Sequence, residues 1–213
     1  MPQHLLSNDS PLTFREFVMN ESLPLGQIHQ TVLTFLRERT DVVLFCAQAV
    51  NAYVDAPRMT EDVDIMAIRG EEIASELCEH LHQVHNIAVR VRNVANGKGF
   101  RIYQLRSPTN RHLVDIRQVD ALPDHQLIDS ICVVTPVELL ALKVISMSAR
   151  PHTPKGQTDL ADLLRLLIAY PEYKSNDNAV VETLSRLSAT AMALKTWRDL
   201  VARDIQPDTD EDY

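Results

Sequence analysis

Residues 62–68 (DVDIMAI) alternate between polar and apolar side chains and constrain the fold more than any other stretch of the chain. Such alternation is typical of a β-strand with one buried face, because successive side chains point to opposite sides. Asp62 and Asp64 therefore share one face, while Val63 and Ile65 pack into the core. Two adjacent carboxylates repel each other unless a cation lies between them, and oxygen ligands suit Mg²⁺ or Mn²⁺. The pattern predicts a metal site, although two exposed acids on an ordinary solvated strand would show the same short motif.

A second stretch, residues 112–118 (HLVDIRQ), also alternates and contributes a third carboxylate, Asp115. Its alternation places Val114 and Ile116 inward and Asp115 on the opposite face, beside Leu113 and Arg117. Three acids from two strands is the arrangement that two-metal phosphoryl or nucleotidyl transfer requires. In that chemistry the cations bridge the phosphates, and the third carboxylate helps to orient and deprotonate the attacking hydroxyl. We therefore expect all three aspartates to be catalytic and metal-binding residues.

The other periodic segments predict an α+β protein. Its early part is expected to contain helices over 11–19, 27–39, 47–53 and 71–84, and further strands over 41–46, 87–94, 100–106 and 111–119. The segment Asn96-Gly97 between two of these strands is a strong hairpin signal. The elements together predict a mixed β-sheet flanked by helices.

From Thr135 onward the pattern becomes helical. Thr135-Pro136-Val137-Glu138 is a capping box with proline at the first helical position. Helices are predicted over 136–149, 158–170, 178–188 and 189–204. We therefore divide the chain into an α/β core with N-terminal helices (1–133), a C-terminal helical subdomain (134–205) and an acidic tail that is predicted to be disordered (206–213).

The bulk composition fits an ordinary globular protein, with 45% hydrophobic residues and a formal net charge of -8. The three cysteines match no metal or disulfide spacing, the N-terminus resembles no export signal, and no stretch reaches the roughly 18 apolar residues that span a bilayer. These features predict a cytoplasmic protein with no membrane partner. The charge is uneven, because the stretch from Asn86 to Val119 is basic. In it Arg90 and Arg92 share a strand face that would suit an RNA or nucleotide acceptor, although scattered solubilising arginines are an equal explanation.

Three segments together carry a resemblance to a known family. They are 45–53 (FCAQAVNAY), 57–64 (PRMTEDVD) and 134–143 (VTPVELLALK), with Arg150, Lys155, Asp159 and Asp162 beyond them. In this order they resemble the DNA polymerase β-type nucleotidyltransferase superfamily. Within it, the chain is most similar to the bacterial nucleotidyltransferase toxins of abortive-infection systems and to small antibiotic nucleotidyltransferases. The resemblance covers roughly residues 25 to 170 and implies a nucleotidyltransferase fold.

The resemblance implies an enzyme that moves an NMP from an NTP to a hydroxyl, using Mg²⁺ or Mn²⁺. The acceptor would be tRNA or another RNA, a protein or a small molecule, and the enzyme would be the toxin of a toxin–antitoxin pair with an antitoxin protein as partner. Arg58 and Thr60 would brace the metal loop or contact phosphate, although a surface ion pair of little energetic weight is an equal explanation for Arg58. Lys143 lies on a helix that is apolar nearly all round, so it is expected to be buried with an anionic partner. The resemblance implies that this partner is the triphosphate. The alternative is a lysine on an exposed stripe of the helix, with its ammonium group in solvent.

One departure from the family pattern affects the nucleotide site. Members usually have Gly-Gly or Gly-Ser where this chain has Cys46-Ala47, and glycine lets the backbone approach the triphosphate closely. We keep Cys46 and Ala47 as nucleotide-binding candidates. The substitution also leaves open a catalytically impaired binding module, and an antibiotic nucleotidyltransferase is a further alternative.

Overall fold

The computed structural model describes residues 23–176 and 179–207, so the helix predicted over 11–19 lies outside the described residues. The described helices are α1 (Leu25–Leu36), α2 (Cys46–Asn51), α3 (Gly70–His85), α4 (Pro136–Ala149), α5 (Pro154–Ala169), α6 (Ala179–Arg186) and α7 (Ala191–Val201). The described strands are β1 (Val42–Phe45), β2 (Val63–Ala67), β3 (Val89–Val94), β4 (Gly99–Gln104), β5 (Arg111–Gln118), β6 (His125–Ile128) and β7 (Ile131–Val134). The predicted α+β class is confirmed.

All seven described strands form one mixed sheet in the order β3-β4-β5-β2-β1-β7-β6. The pairs β2–β5 and β1–β7 are parallel, and the other neighbours are antiparallel. Strand β2 therefore lies at the centre of the sheet, with β5 on one side and β1 on the other. Its odd-numbered residues Val63, Ile65 and Ala67 are fully buried, as the alternation predicted.

Helix α3 covers one face of the β3–β4–β5 part of the sheet. A Cβ added at Gly70, the first residue of α3, would lie 3.0 Å from the ring of Phe100 on β4, so Phe100 faces this helix. Ile102, two residues further along β4, is fully buried. Because side chains alternate along a strand, Arg101 and Tyr103 project from the opposite face. That face also carries the candidate site described below.

The described chain divides into two compact units. One comprises 23–52 and 58–134 and contains the sheet with α1, α2 and α3; the other comprises 53–57, 135–176 and 179–207 and contains α4 to α7. In the helical unit, α4 contacts α5, α6 and α7, which accounts for its nearly continuous apolar surface. The acidic tail predicted from 206 lies outside the described residues from 208 onward.

The β6–β7 hairpin and the start of α5 differ from the sequence-based prediction, and the helix predicted over 27–39 spans Leu25–Leu36. The hairpin β6–β7 was not predicted, because its strands have only four residues each and its turn, Asp129-Ser130, contains no glycine. Both turn residues have positive φ, 49° and 65°, as a two-residue hairpin turn requires. Helix α5 begins at Pro154 instead of residue 158, because the Thr153 hydroxyl caps it by accepting from the Gly156 amide.

The capping box predicted at the start of α4 forms only in part. The Thr135 hydroxyl accepts from the Glu138 amide, as predicted. The Glu138 carboxylate, however, is buried and binds Arg186 of α6. The glutamate therefore joins two helices and does not complete the box. No helix within the described ranges combines the length and apolarity needed to cross a membrane.

Candidate active site

Asp64 and Asp115 are direct partners in the parallel register between β2 and β5. Partners in a sheet project from the same face, so the two carboxylates are neighbours on the face opposite α3. Asp62 immediately precedes β2 and shares the parity of Asp64. All three aspartates are half-buried. The strand pairing therefore brings the three sequence-predicted acids to one face of the sheet.

A histidine that the sequence did not predict joins them. The β4–β5 register shifts between Ile102 and Tyr103, which pair with Val114 and His112 respectively, so Leu113 is an extra residue in β5. Such a bulge changes which face the following residues occupy. Leu113 and Val114 are consecutive and both fully buried, so the alternation predicted to place Leu113 beside Asp115 was wrong at this point. As a result His112 lies on the same face as Asp115.

His112 stands between two of the carboxylates. Its Nδ1 is 3.1 Å from Oδ2 of Asp62, and its Nε2 is 3.5 Å from Oδ1 of Asp115. One ligand atom from each of these three residues lies within 4.8 Å of the other two. Within the residues that the structure describes, this is the one group of histidine, cysteine or acidic side chains with such spacing. The group can therefore hold a metal ion with two carboxylate oxygens and one imidazole nitrogen.

Contacts between oppositely charged side chains shift the pKa values of His112 and Asp115. Burial lowers the pKa of His112, but Asp115 and Asp62 outweigh it and raise that pKa to about 10. Burial likewise raises the pKa of Asp115, and His112 and Arg101 together hold it below its ordinary value. Arg101 Nε donates to Asp115 Oδ1 at 2.8 Å. Without a metal the site is thus an ion-pair cluster, in which Asp115 is ionised and His112 is a cation near neutral pH.

The Cys46-Ala47 pair follows the last residue of β1, Phe45, which is the register partner of Asp64. Cys46 is therefore adjacent in sequence to the register partner of Asp64. Cys46 has a φ of 63°, in the left-handed region that favours glycine. The backbone thus adopts here the conformation that suits the glycine expected from the family pattern. Ala47 is buried and Cys46 half-buried.

Arg58 and Thr60 lie in the loop that leads into β2, and Asn51 fixes this loop to α2. Asn51 Oδ1 accepts from the Arg58 amide at 3.0 Å, and its Nδ2 donates to the Arg58 carbonyl at 2.8 Å. Nδ2 also donates to Gln48 Oε1 at 2.9 Å. Arg58 Nη1 donates to the carbonyl of Met59 at 3.2 Å. Asn51 was not singled out in the sequence, and its role depends on a loop contact that no motif signals.

Lys143 belongs to the helical unit, where it is 4% exposed. Its Nζ donates to Asp159 Oδ1 at 2.9 Å and to Asp162 Oδ2 at 2.7 Å. Ser146 and Arg150 bind the second oxygen of Asp159. The expected burial with an anionic partner is therefore observed, but the partners are two aspartates of α5. The role of Lys143 at a triphosphate stays a prediction.

Comparison with known families bears on the function of this chain. The model of the family described as "Nucleotidyl transferase AbiEii toxin, Type IV TA system" matches residues 49–213. The chain belongs to this family. The predicted membership of the nucleotidyltransferases, near the toxin-like branch, is thus confirmed. No curated protein matches the chain in sequence.

Solved structures agree on the fold. The Megavirus polyadenylate synthase superposes with a TM-score of 0.55 at 14% identity, covering 82% of this chain and 41% of that one. JHP933 from Helicobacter pylori gives a TM-score of 0.52 at 14% identity, covering 90% of each chain. This member of the AbiEii family therefore spans less than half of the viral enzyme and most of the bacterial protein. At such low identity the likeness supports the nucleotidyltransferase fold alone.

Proposed function

We propose that this chain transfers a nucleoside monophosphate from an NTP to a hydroxyl acceptor, with Mg²⁺ or Mn²⁺ as cofactor and pyrophosphate as the product released. The observation that carries the proposal is the shared face of Asp62, Asp64 and Asp115, reached from two neighbouring strands. Membership in the AbiEii nucleotidyltransferase family supports the reaction class.

The donor set fits a divalent cation. Carboxylate oxygens suit Mg²⁺ and Mn²⁺, and the imidazole of His112 adds a nitrogen that Mg²⁺ uses less readily. The three aspartates would hold the cations, with His112 as a neighbour of Asp62 and Asp115. Bound there, the cations would offset the negative charge of the triphosphate and of the departing pyrophosphate.

The residues of the chain have separate roles in this proposal. Asp115, whose lowered pKa keeps it ionised, accepts a hydrogen bond from the acceptor hydroxyl and orients its oxygen toward the α-phosphorus. A bond forms between that oxygen and the α-phosphorus, and the bond from the α-phosphorus to the bridging oxygen of pyrophosphate breaks. Pyrophosphate carries away the electron pair, and the hydroxyl proton is lost through Asp115 to solvent.

The nucleotide contacts are proposed from the family pattern. Cys46 and Ala47 would lie against the triphosphate through their backbone, while Arg58 and Thr60 would contact phosphate or support the loop before Asp62. Lys143 would steady the triphosphate while remaining paired with the aspartates of α5. The family description, which includes a Type IV toxin–antitoxin system, supports an antitoxin protein as a partner. The candidate acceptors are tRNA, another RNA, a protein and a small molecule.

The test is transfer of radiolabel from each α-labelled NTP to total cellular RNA and protein, in the presence of Mg²⁺ or Mn²⁺. We expect labelled product with the wild-type protein and none with Asp64→Ala or Asp115→Ala. Asp120→Ala, a change at an exposed aspartate just beyond β5, is the matched control and should retain transfer. Urea unfolding of all variants verifies that they are folded. Full activity in either site variant would reject the assignment.

A binding module without turnover is the second candidate, and one observation favours it. Cys46 places a side chain at a left-handed position where the family usually has glycine. Calorimetry with each NTP and Mg²⁺ separates the two candidates. Binding without transfer to any acceptor would favour a nucleotide-binding module, and no binding at millimolar nucleotide would favour a scaffold that has lost the nucleotide site.

A further inference from the structure

Strand β3 forms one edge of the described sheet, and β4 is its only described neighbour. The Leu105 amide donates to the Ala88 carbonyl at 2.8 Å, so these two residues form a hydrogen-bonded antiparallel pair just before the strand. Hydrogen-bonded and non-hydrogen-bonded pairs alternate along such a ladder. Val89, Val91 and Asn93 therefore belong to non-hydrogen-bonded pairs, and their amides and carbonyls point away from β4. The outer edge of β3 thus presents backbone donors and acceptors to an incoming strand.

The side chains of β3 differ between the two faces of the sheet. Arg90 and Arg92 project from the face opposite α3, both are exposed, and neither forms an ion pair with a described carboxylate. Val89 and Val91 project toward the α3 side, because Val91 pairs with the buried Ile102 of β4. Both valines are only half-buried, since no described strand lies beyond them. A strand that fits this edge would place acidic side chains opposite the arginines and apolar ones opposite the valines.

The chemistry of this edge favours an acidic polypeptide over two other occupants. A second copy of the chain, paired antiparallel about Val91, would place Arg90 of each copy opposite Arg92 of the other, and like charges in cross-strand pairs are destabilising. A polynucleotide would match the arginines in charge, but it offers no amides and carbonyls at strand spacing and no apolar side chains to the valines. An extended acidic polypeptide supplies all of these contacts.

We propose that β3 binds an extended segment of another protein as an additional strand of the sheet, and that acidic residues alternate with β-branched ones in this segment. The backbone of the segment pairs with Val89, Val91 and Asn93, and its carboxylates bind Arg90 and Arg92. In an antiparallel pair the arginines take non-hydrogen-bonded positions, where facing side chains lie closest. Binding at this edge needs neither nucleotide nor metal, so it is independent of the proposed function.

The experiment measures binding of a short fluorescent peptide, in which aspartate alternates with valine, to the whole chain without NTP or divalent cation. The variant Arg90→Gln/Arg92→Gln should bind the peptide about tenfold more weakly at low salt, because two cross-strand ion pairs are lost. The matched control is Lys195→Gln/Arg203→Gln, the same charge change at exposed residues of the helical unit. This control should bind the peptide as the wild type does. Urea unfolding verifies that both variants are folded.

Methylation of the peptide backbone supplies the second arm. An N-methylated amide donates no hydrogen bond, and alternate amides of a paired strand face its neighbour. One peptide is methylated on its valines and another on its aspartates. One of the two should lose binding and the other should retain it, because strand pairing uses only one set of amides. Amide hydrogen exchange at Val89, Val91 and Asn93 should slow when the unmethylated peptide binds.

The proposal is overturned if the unmethylated peptide does not bind the wild type at millimolar concentration, or if the Arg90/Arg92 variant binds it like the control. It is also overturned if the two methylated peptides bind equally, because the contact would then involve no strand pairing. Displacement of the peptide by single-stranded RNA would, in that case, assign the arginines to a general polyanion site. A dimer of the chain that dissociates when the peptide binds would assign the edge to a second copy instead.

Discussion

Arg101 Nε donates to Oδ1 of Asp115 at 2.8 Å, and the same oxygen lies 3.5 Å from Nε2 of His112. A divalent cation at this carboxylate must therefore bind beside, or displace, a guanidinium. Replacing the guanidinium with a neutral group removes a repulsive charge. Because Arg101 is 43% exposed, solvent screening limits the effect to that of a surface ion pair.

We accordingly expect Arg101→Gln to bind Mn²⁺ about two- to fivefold more tightly than the wild type. Arg92→Gln, one strand further from Asp115, is the control and should leave the affinity unchanged. Titration followed by calorimetry or by the Mn²⁺ electron paramagnetic resonance signal measures both. Equal or weaker Mn²⁺ binding by Arg101→Gln would show that the guanidinium does not compete with the cation.

A glycine at position 46 should stabilise the protein. Cys46 has a φ of 63°, which costs an L-residue roughly 1–2 kcal/mol, whereas glycine adopts it freely. Part of this gain is offset by the greater entropy of glycine in the unfolded chain. We expect Cys46→Gly to raise the free energy of unfolding in urea by up to about 1 kcal/mol. Cys46→Ala keeps the strained φ and should not increase stability, so an equal gain in both variants would contradict the explanation.

Loss of the buried lysine should destabilise the helical unit. Lys143→Met would leave the carboxylates of Asp159 and Asp162 without their common cation in a site where the lysine is 4% exposed. Removal of one partner of a buried ion pair typically costs about 3–5 kcal/mol. The control, Lys155→Met, changes an exposed lysine of α5 and should cost little. Equilibrium urea unfolding compares them, and equal stability would mean that the aspartates find other partners.

The buried cluster of Lys143, Asp159 and Asp162 should also make the protein less stable in acid. Burial raises the pKa of Asp159, but Lys143, Arg150 and Ser146 outweigh it and hold that pKa below its ordinary value. A carboxyl with a lowered pKa in the folded state contributes stability above its unfolded pKa, near about 4, and loses that contribution as the pH falls further. Asp159→Asn removes this contribution. Its deficit relative to the wild type, measured by urea unfolding, should be largest at about pH 6 and shrink at about pH 3.

The exposed aspartate Asp120 provides the control for this measurement. Asp120→Asn should follow the wild-type stability at both pH values. If the deficit of Asp159→Asn were the same in acid as near neutral pH, the protonation of Asp159 would not contribute to acid unfolding.

The acidic residues could be predicted from the sequence because the alternation that puts carboxylates on one strand face also supplies the ligands that a metal site needs. Alternation over 62–68 placed Asp62 and Asp64 together, and the register of β2 with β5 then brought Asp115 beside Asp64. That register is a long-range property that periodicity cannot supply, and the proximity of the two strands was inferred from the chemistry that three carboxylates perform together. The short strands of β6 and β7 gave no comparable pattern.

His112 shows where reading by alternation fails. Positions three apart in a regular strand lie on opposite faces, so nothing in the local pattern joined His112 to Asp115. The partners of Lys143 were missed for a different reason. Asp159 and Asp162 lie on another helix, and their contact with Lys143 depends on how α4 and α5 pack.

The extra residue at Leu113 sets the spacing at which an imidazole and a carboxylate share one face of β5. In a regular strand such a pair lies two positions apart, whereas the bulge brings His112 and Asp115 together at three positions apart. Deleting Leu113 would therefore restore regular pairing and leave His112 two positions before Asp115, still on the acidic face. A nitrogen donor beside this carboxylate is thus compatible with two lengths of the strand, so that deletion would preserve the set of ligands.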